Sequence, residues 1–222
     1  DVTDNMVLTI TEAPQVDAGS DEETCEDVTF DLDTSSIEPS YSAINSIRWS
    51  SDGNGTFNDT TFQKPTYTPA ANETGNVKLY VTVTGNGSCT SVKDSMILSV
   101  TPKPSSNAGS TEETCENVPI DLSLSSTTPT ASQYSELEWL TNGLGSFNDS
   151  SLLTPIYTPS NGETGGFTLT LKAYGNGSCN PVFNTMALVV TPEPECNAGS
   201  NEETCQGVAI DLNNSLTPPM AS

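Results

Sequence analysis

The same residues return at a constant spacing of 90. Cys25 recurs as Cys115 and Cys205, Trp49 as Trp139, Tyr67 as Tyr157 and Cys89 as Cys179. The string AGSDEETCEDVTFDL at 18–32 returns as AGSTEETCENVPIDL at 108–122 and as AGSNEETCQGVAIDL at 198–212. Between 17–103 and 107–193, 40 of 87 positions are identical without a gap. Such a chain must use one folding module repeatedly. The spacing exceeds the roughly 20–45 residues of a solenoid unit, so each copy has to close its own core.

Period-2 alternation marks that module as β. Val28, Phe30 and Leu32 are expected on one face. Trp49 alternates with Arg48, and Leu79, Val81 and Val83 alternate with Tyr80, Thr82 and Thr84. Met96, Leu98 and Val100 alternate with Ile97 and Ser99. Turn chemistry separates these runs at Asp52-Gly53-Asn54-Gly55 and Gly85-Asn86-Gly87-Ser88. The predicted strands lie near 15–24, 27–33, 45–51, 55–58, 65–68, 77–85 and 92–101. Seven short strands around a central Trp, in about 90 residues, predict an all-β chain of tandem immunoglobulin-like sandwiches.

The predicted layout is a last strand of a preceding repeat at 1–14, repeats at 15–104 and 105–194, and the incomplete start of a third at 195–222. Residues 2–10 (VTDNMVLTI) align with 92–100 (VKDSMILSV), which suggests a window cut from a longer array. The joints Thr101-Pro102-Lys103-Pro104 and Thr191-Pro192-Glu193-Pro194 carry paired prolines. Prolines fix φ and favour extended spacers, so an extended array is expected.

Charge narrows the partners. Six Lys and Arg stand against 29 Asp and Glu, a net of -23, with no His. A phosphate backbone needs clustered cations, and Arg48, Lys64, Lys78, Lys93, Lys103 and Lys172 are scattered in sequence. Nucleic-acid binding is therefore not expected. No apolar run approaches the length of a membrane helix. Without His there is neither a Ser-His-Asp triad nor His-ligated zinc.

The ordered set AGSxEETC, VxxDL, the strand Trp, GxGxFND, PxYTP, ETG, GNGSC, DSM and a closing TP resembles the PKD-like, immunoglobulin-like repeats of very large bacterial surface adhesins. These are common in Bacteroidota, where many such proteins leave by type IX secretion and some serve gliding. The WDFGDG signature of ordinary PKD domains is replaced here by Trp49-Ser50-Ser51-Asp52-Gly53. The resemblance implies an extracellular or cell-surface array used for attachment or as a structural fibre.

Cysteines in a secreted chain without CxxC or His read as disulfides. Two pairings stand open. Cys25–Cys89 and Cys115–Cys179 would each close a loop within one repeat. In a sandwich, however, Cys25 lies at the corner after the first strand and Cys89 in the turn before the last. These are opposite ends, and a disulfide needs Cα atoms within about 7 Å. The favoured pairing is Cys25–Cys179, joining consecutive repeats. Cys115 would then bond a following repeat and Cys89 a preceding one. Cys196 has no equivalent. It can substitute as the partner of Cys115, pair with Cys205 or link two fibres.

Asp17, Glu22 and Glu23 could gather Ca²⁺ at a domain junction. The plainer reading is a solvated acidic edge, and no other cofactor is implied. Catalytic carboxylate pairs lack any pocket-forming insertion, so no enzyme is expected. Trp49, Trp139, Tyr67 and Tyr157 read as core. Asn-x-Ser/Thr matches, such as Asn54 and Asn176, read as chance in so Asn-rich a chain. The resemblance also implies an Asp-Ser/Thr glycan motif, which makes Thr60 and Ser95 O-glycosylation candidates.

The leading function is a stalk or fibre segment. Its partners would be neighbouring repeats of the same chain, other copies in a fibre, or surface glycans and host or substratum. A glycan- or protein-binding module and a strand-exchanging filament subunit are the alternatives.

Overall fold

The computed structural model describes residues 2–214 and 219–221. Among them the regular elements are strands and three short 3-10 turns. The first repeat contains β1 (Gln15–Asp17), β2 (Glu22–Cys25), β3 (Phe30–Asp31), β4 (Ser40–Ser42), β5 (Ile44–Ser51), β6 (Thr56–Phe57), β7 (Thr66–Thr68), β8 (Gly75–Gly85) and β9 (Val92–Thr101). The series returns as β10 (Ser105–Asn107), β11 (Glu112–Cys115), β12 (Ile120–Asp121), β13 (Thr130–Ser132), β14 (Tyr134–Thr141), β15 (Ser146–Phe147), β16 (Ile156–Thr158), β17 (Gly165–Gly175) and β18 (Val182–Thr191). β19 (Cys196–Asn197) and β20 (Met220–Ala221) pair in the third segment.

In the first repeat one sheet has the order β2-β9-β8-β5 and the other β3-β7-β6. β2 runs parallel to β9, while β8 pairs antiparallel with both β5 and β9. The second repeat gives the same orders, β11-β18-β17-β14 and β12-β16-β15. Two sheets, with the Trp strand β5 at one edge of the larger and β2 laid parallel on the last strand β9 at the other, define an immunoglobulin-like sandwich, so the chain is all-β with one topology used twice.

Both sheets contribute to the first core. Phe30 and Tyr67 come from the three-stranded sheet. Trp49, Leu79, Val81, Val83, Met96, Leu98 and Val100 come from the four-stranded one. The register sets Trp49 opposite Val81 and Leu79 opposite Met96, so the alternation of the sequence becomes one apolar face. Each fully buried aliphatic chain contributes about 1.5–3 kcal/mol relative to exposure. Trp49, Phe57 and Tyr67 pack in series, with ring centroids 5.9 and 5.1 Å apart. Trp139, Phe147 and Tyr157 repeat the arrangement at 5.8 and 5.1 Å.

The chain divides into two compact units. One comprises Asp1–Asn107, Thr130–Glu138 and Lys172–Asn184, and the other Ala108–Pro129, Trp139–Leu171 and Thr185–Ser222. These units cut across the sequence repeats. Asp1, 215–218 and Ser222, which belong to the expected first and third segments, lie outside the described residues.

Several strands differ from the sequence reading. The run expected at 15–24 is two strands, broken at Gly19, whose φ of +91 and close approach to the Ile37 carbonyl exclude a side chain. The strand expected at 27–33 shortens to Phe30–Asp31. Asp27 turns the chain with φ 62, and the Asp31 side chain accepts from the Asp33 N–H to start a 3-10 turn. Val28, expected inward, is consequently exposed. No strand forms at 2–14. Met6, Leu8 and Ile10 are exposed there, whereas the aligned Met96, Leu98 and Val100 are buried.

Candidate functional site

The sequence motifs EETC and GNGSC meet within the first unit. The EETC strand is β2, held along β9 so that Cys25 stands opposite Thr101. The chain then turns sharply: the Glu26 N–H donates to the Thr101 carbonyl at 2.8 Å, and the Val28 N–H to the Cys25 carbonyl at 3.0 Å. GNGSC is the turn after β17, closed by the Cys179 N–H donating to the Asn176 carbonyl at 3.1 Å. Cys25 and Cys179 form a disulfide, with Cα atoms 4.9 Å apart and both residues buried.

Polar contacts fit the two motifs together around that bond. Glu23 Oε1 accepts the Ser178 N–H at 3.0 Å and the Thr101 hydroxyl at 3.0 Å. Gly177, at φ +53, lies directly on the Glu23 carboxylate, and a Cβ there would collide with it. The Cys179 Sγ rests 3.5 and 3.6 Å from the Thr101 and Pro102 carbonyl oxygens. Its counterpart 90 residues earlier is placed alike: the Cys89 Sγ lies 3.7 and 3.5 Å from the carbonyl oxygens of Thr11 and Glu12.

Cys89 is a free, half-buried thiol. It sits before the start of β9, while Cys25 stands opposite that strand's last residue. Nine residue steps at about 3.3 Å separate those ends by roughly 30 Å, so the two cysteines of one repeat cannot meet. Cys115, Cys196 and Cys205 are free and exposed. The Thr191 hydroxyl donates to the Cys115 Sγ at 3.7 Å.

The acidic residues near the clasp are engaged within the fold. The Asp17 carboxylate accepts the Gly19 N–H at 2.9 Å, and the Glu22 carboxylate accepts the Ser20 hydroxyl and the Ser36 N–H. Burial works to raise the Glu22 pKa, but the Ser36 and Ser20 hydrogen bonds outweigh it and hold it below the ordinary value. Among the described residues no group of three or more His, Cys, Asp or Glu could hold a metal ion.

Sequence reasoning gave no role to Glu73 and Glu163, the acidic members of the two ETG motifs. Glu73 accepts the N–H groups of Asn54 and Ala70 and the Tyr67 hydroxyl. Glu163, only 6% exposed, does the same for Leu144, Ser160 and Tyr157. Gly55 and Gly145 lie flat on the rings of Tyr67 and Tyr157. GxGxFND, PxYTP and ETG are therefore one packed unit. Their constant relative spacing is the signal that could have grouped them.

The candidate glycan residues fall in different settings. Thr60 sits in the turn after β6, where its carbonyl accepts the Trp49 N–H at 2.8 Å. Neighbouring Asp59 accepts both the N–H and the hydroxyl of Thr61 at 2.7 Å, and these bonds lower its pKa. Ser95 lies mid-strand in β9 opposite Tyr80, and the preceding Asp94 accepts the Ala18 N–H at 2.8 Å.

The cations, scattered in sequence, sort into two groups. Lys64 pairs with Asp33 and Glu38, Lys103 with Asp27, and Lys172 with Glu138. Arg48, Lys78 and Lys93 form no ion pair among the described residues, and all three are exposed on the outer face of the β5-β8-β9 sheet.

No family model and no curated protein matches the chain. Among solved structures it is similar to a three-immunoglobulin segment of titin, at 14% identity and TM-score 0.44, covering 82% of this chain and 67% of that one. It is similar to EC1-4 of Drosophila N-cadherin at 18% identity and TM-score 0.44, covering 82% of this chain and 50% of that one. The D00-D0 domain of intimin matches at 12% identity and TM-score 0.42, over 79% of this chain and 99% of that one. The assignment of the sandwich rests on the strand order and register of the chain itself.

Proposed function

We propose that the chain is a load-bearing segment of an extracellular stalk or filament, of the kind found in large bacterial surface adhesins, serving attachment or motility by spanning distance. The observation that carries this reading is the Cys25–Cys179 bond across 154 residues. Tension applied at the chain ends reaches Cys25 and crosses to Cys179 through sulfur. The residues between them, with both buried tryptophans, lie off the load path. Shielding of that kind serves a tether.

Three further features support the reading. The paired prolines at 102 and 104 and at 192 and 194 act as semi-rigid spacers. The net charge of -23 keeps a long surface soluble and self-repelling. Cys89 and Cys115 occupy the same two motif positions as Cys179 and Cys25, so adjoining repeats would continue the series of links.

Non-reducing peptide mapping of the native surface protein tests this. The expected products are a Cys25–Cys179 peptide and a Cys115 peptide joined to a following repeat, both reached by a membrane-impermeant label on intact cells. A Cys25–Cys89 peptide, or protection from the label, would overturn the proposal.

A further inference from the structure

Half of the chain's cations stand together on one surface. The register sets Arg48 opposite Thr82 and Thr82 opposite Lys93, one row across β5, β8 and β9. At about 4.8 Å between strands, the outer two Cα atoms lie about 10 Å apart. Tyr80 and Lys78 follow on the same face of β8. Both lysines bracket the Tyr80 ring, with Lys93 Nζ 3.7 Å and Lys78 Nζ 5.7 Å from its centroid.

Two observations set this face apart. The chain carries 29 Asp and Glu, yet among the described residues Arg48, Lys78 and Lys93 form no ion pair, whereas the other three cations are all paired. The bordering carboxylates of Asp52 and Asp21 are turned to the backbone N–H groups of Lys78 and Ile97, each at 2.7 Å. The fold does not require these cations either. The three outward cations of β5, β8 and β9 all change 90 residues later: Arg48 becomes Glu138, Lys78 becomes Thr168 and Lys93 becomes Phe183. The inward Trp49, Leu79, Met96 and Leu98 are all kept. In the second repeat the face's one cation, Lys172, is neutralised by Glu138.

We propose that the outer β5-β8-β9 face of the first repeat binds an acidic polysaccharide, with Arg48, Lys78 and Lys93 meeting its carboxylates or sulfates. The hydroxyls of Thr82 and Ser95 lie between the cations and suit sugar hydroxyls. A protein partner draws most of its binding energy from side chains desolvated in well-packed pockets, and single-stranded nucleic acid needs free rings for stacking. The ring here, Tyr80, is capped by Lys93. A second copy of the chain is itself acidic, at a net -23, and those of its carboxylates within a Debye length of about 8 Å of the contact would meet the acidic surface around the strip. A glycan strand touches only the basic strip. The inference stands apart from the stalk reading, because any repeat presenting this face would bind.

The test measures binding of the intact chain to alginate, which carries carboxylates, to heparin, which carries sulfates, and to neutral dextran. The expected result is binding to at least one polyanion, none to dextran, and weakening as salt rises. The Arg48→Ala/Lys78→Ala/Lys93→Ala variant should bind at least about tenfold more weakly, since the interaction is a sum of cation contacts. A Lys64→Ala/Lys103→Ala variant should bind as the parent does. The triple variant alters exposed side chains and should keep its melting temperature. If it does not fold, Lys78→Arg/Lys93→Arg retaining affinity and Lys78→Glu abolishing it gives the same answer. Binding to neither polyanion, binding indifferent to the triple substitution, or sedimentation showing that this face instead joins two copies would overturn the proposal.

Discussion

Glu23 Oε1 accepts the Ser178 N–H at 3.0 Å, although the two residues are 155 apart in the chain. The same oxygen accepts the Thr101 hydroxyl. One carboxylate thus ties the end of β9 to the turn after β17, two residues before the disulfide at Cys25. EETC and GNGSC, which recur in both repeats, meet here as complementary halves of one clasp.

Gly177 tests the steric side of that clasp. Gly177→Ala should destabilise the chain by about 1–3 kcal/mol, combining left-handed strain with a collision at the Glu23 carboxylate. Gly87→Ala imposes similar strain at φ +64 but meets nothing nearer than the Thr11 hydroxyl, at 3.3 Å. Urea unfolding should rank Gly177→Ala as the costlier change. Equal costs would mean that the clasp is loose.

Glu163→Gln should be among the most damaging single-atom changes. The buried carboxylate accepts the Leu144 N–H at 2.6 Å and the Ser160 N–H at 2.7 Å. An amide leaves its NH₂ facing donors, at a cost of about 1–3 kcal/mol. Tyr157→Phe removes only a hydroxyl and should cost about 1 kcal/mol. Denaturant midpoints of the two variants check the order.

The pH dependence follows from opposite shifts. Glu22 has a lowered pKa in the fold, so its stabilisation is present above its ordinary value of 4.5 and is lost as pH falls through the folded value. The melting-temperature gap between the parent and Glu22→Gln should therefore close on acidification below about pH 4. Tyr67 and Tyr157 are raised by burial. The stability they contribute holds below their ordinary value of 10.0 and is lost as pH rises through the folded value. An acid limb unchanged by Glu22→Gln would contradict the assignment.

Cys25→Ser and Cys179→Ser should lose the same stability as each other and as the double variant, about 3–5 kcal/mol. The double-mutant cycle isolates the bond, because either single change removes it entirely. Additive losses would place the two cysteines in separate interactions.

Much of this architecture was readable from periodicity. Trp49, Leu79, Met96 and Leu98 alternate inward as their spacing implies, and their recurrence exposed the module. The breaks were less readable. Val28 reads as a strand residue, but Asp27 turns the chain before it, and such a turn depends on a hydrogen bond to Cys25 that no local pattern announces. Glu73 and Glu163 look like surface acids until the ring beneath them is placed. The cations are far apart in sequence. Only the β5-β8-β9 register brings Arg48 and Lys93 into one row.

Pulling a single chain by its ends, oxidised and then reduced, tests the load path most directly. At about 3.6 Å per residue, the 154 residues closed by the Cys25–Cys179 bond hold roughly 55 nm of contour length. The oxidised chain should withhold that length at forces that unfold the sandwiches, and reduction should release it. Full extension of the oxidised chain to the reduced length would show that tension runs through the sandwiches, and the account of the chain as a covalently bypassed tether would be wrong.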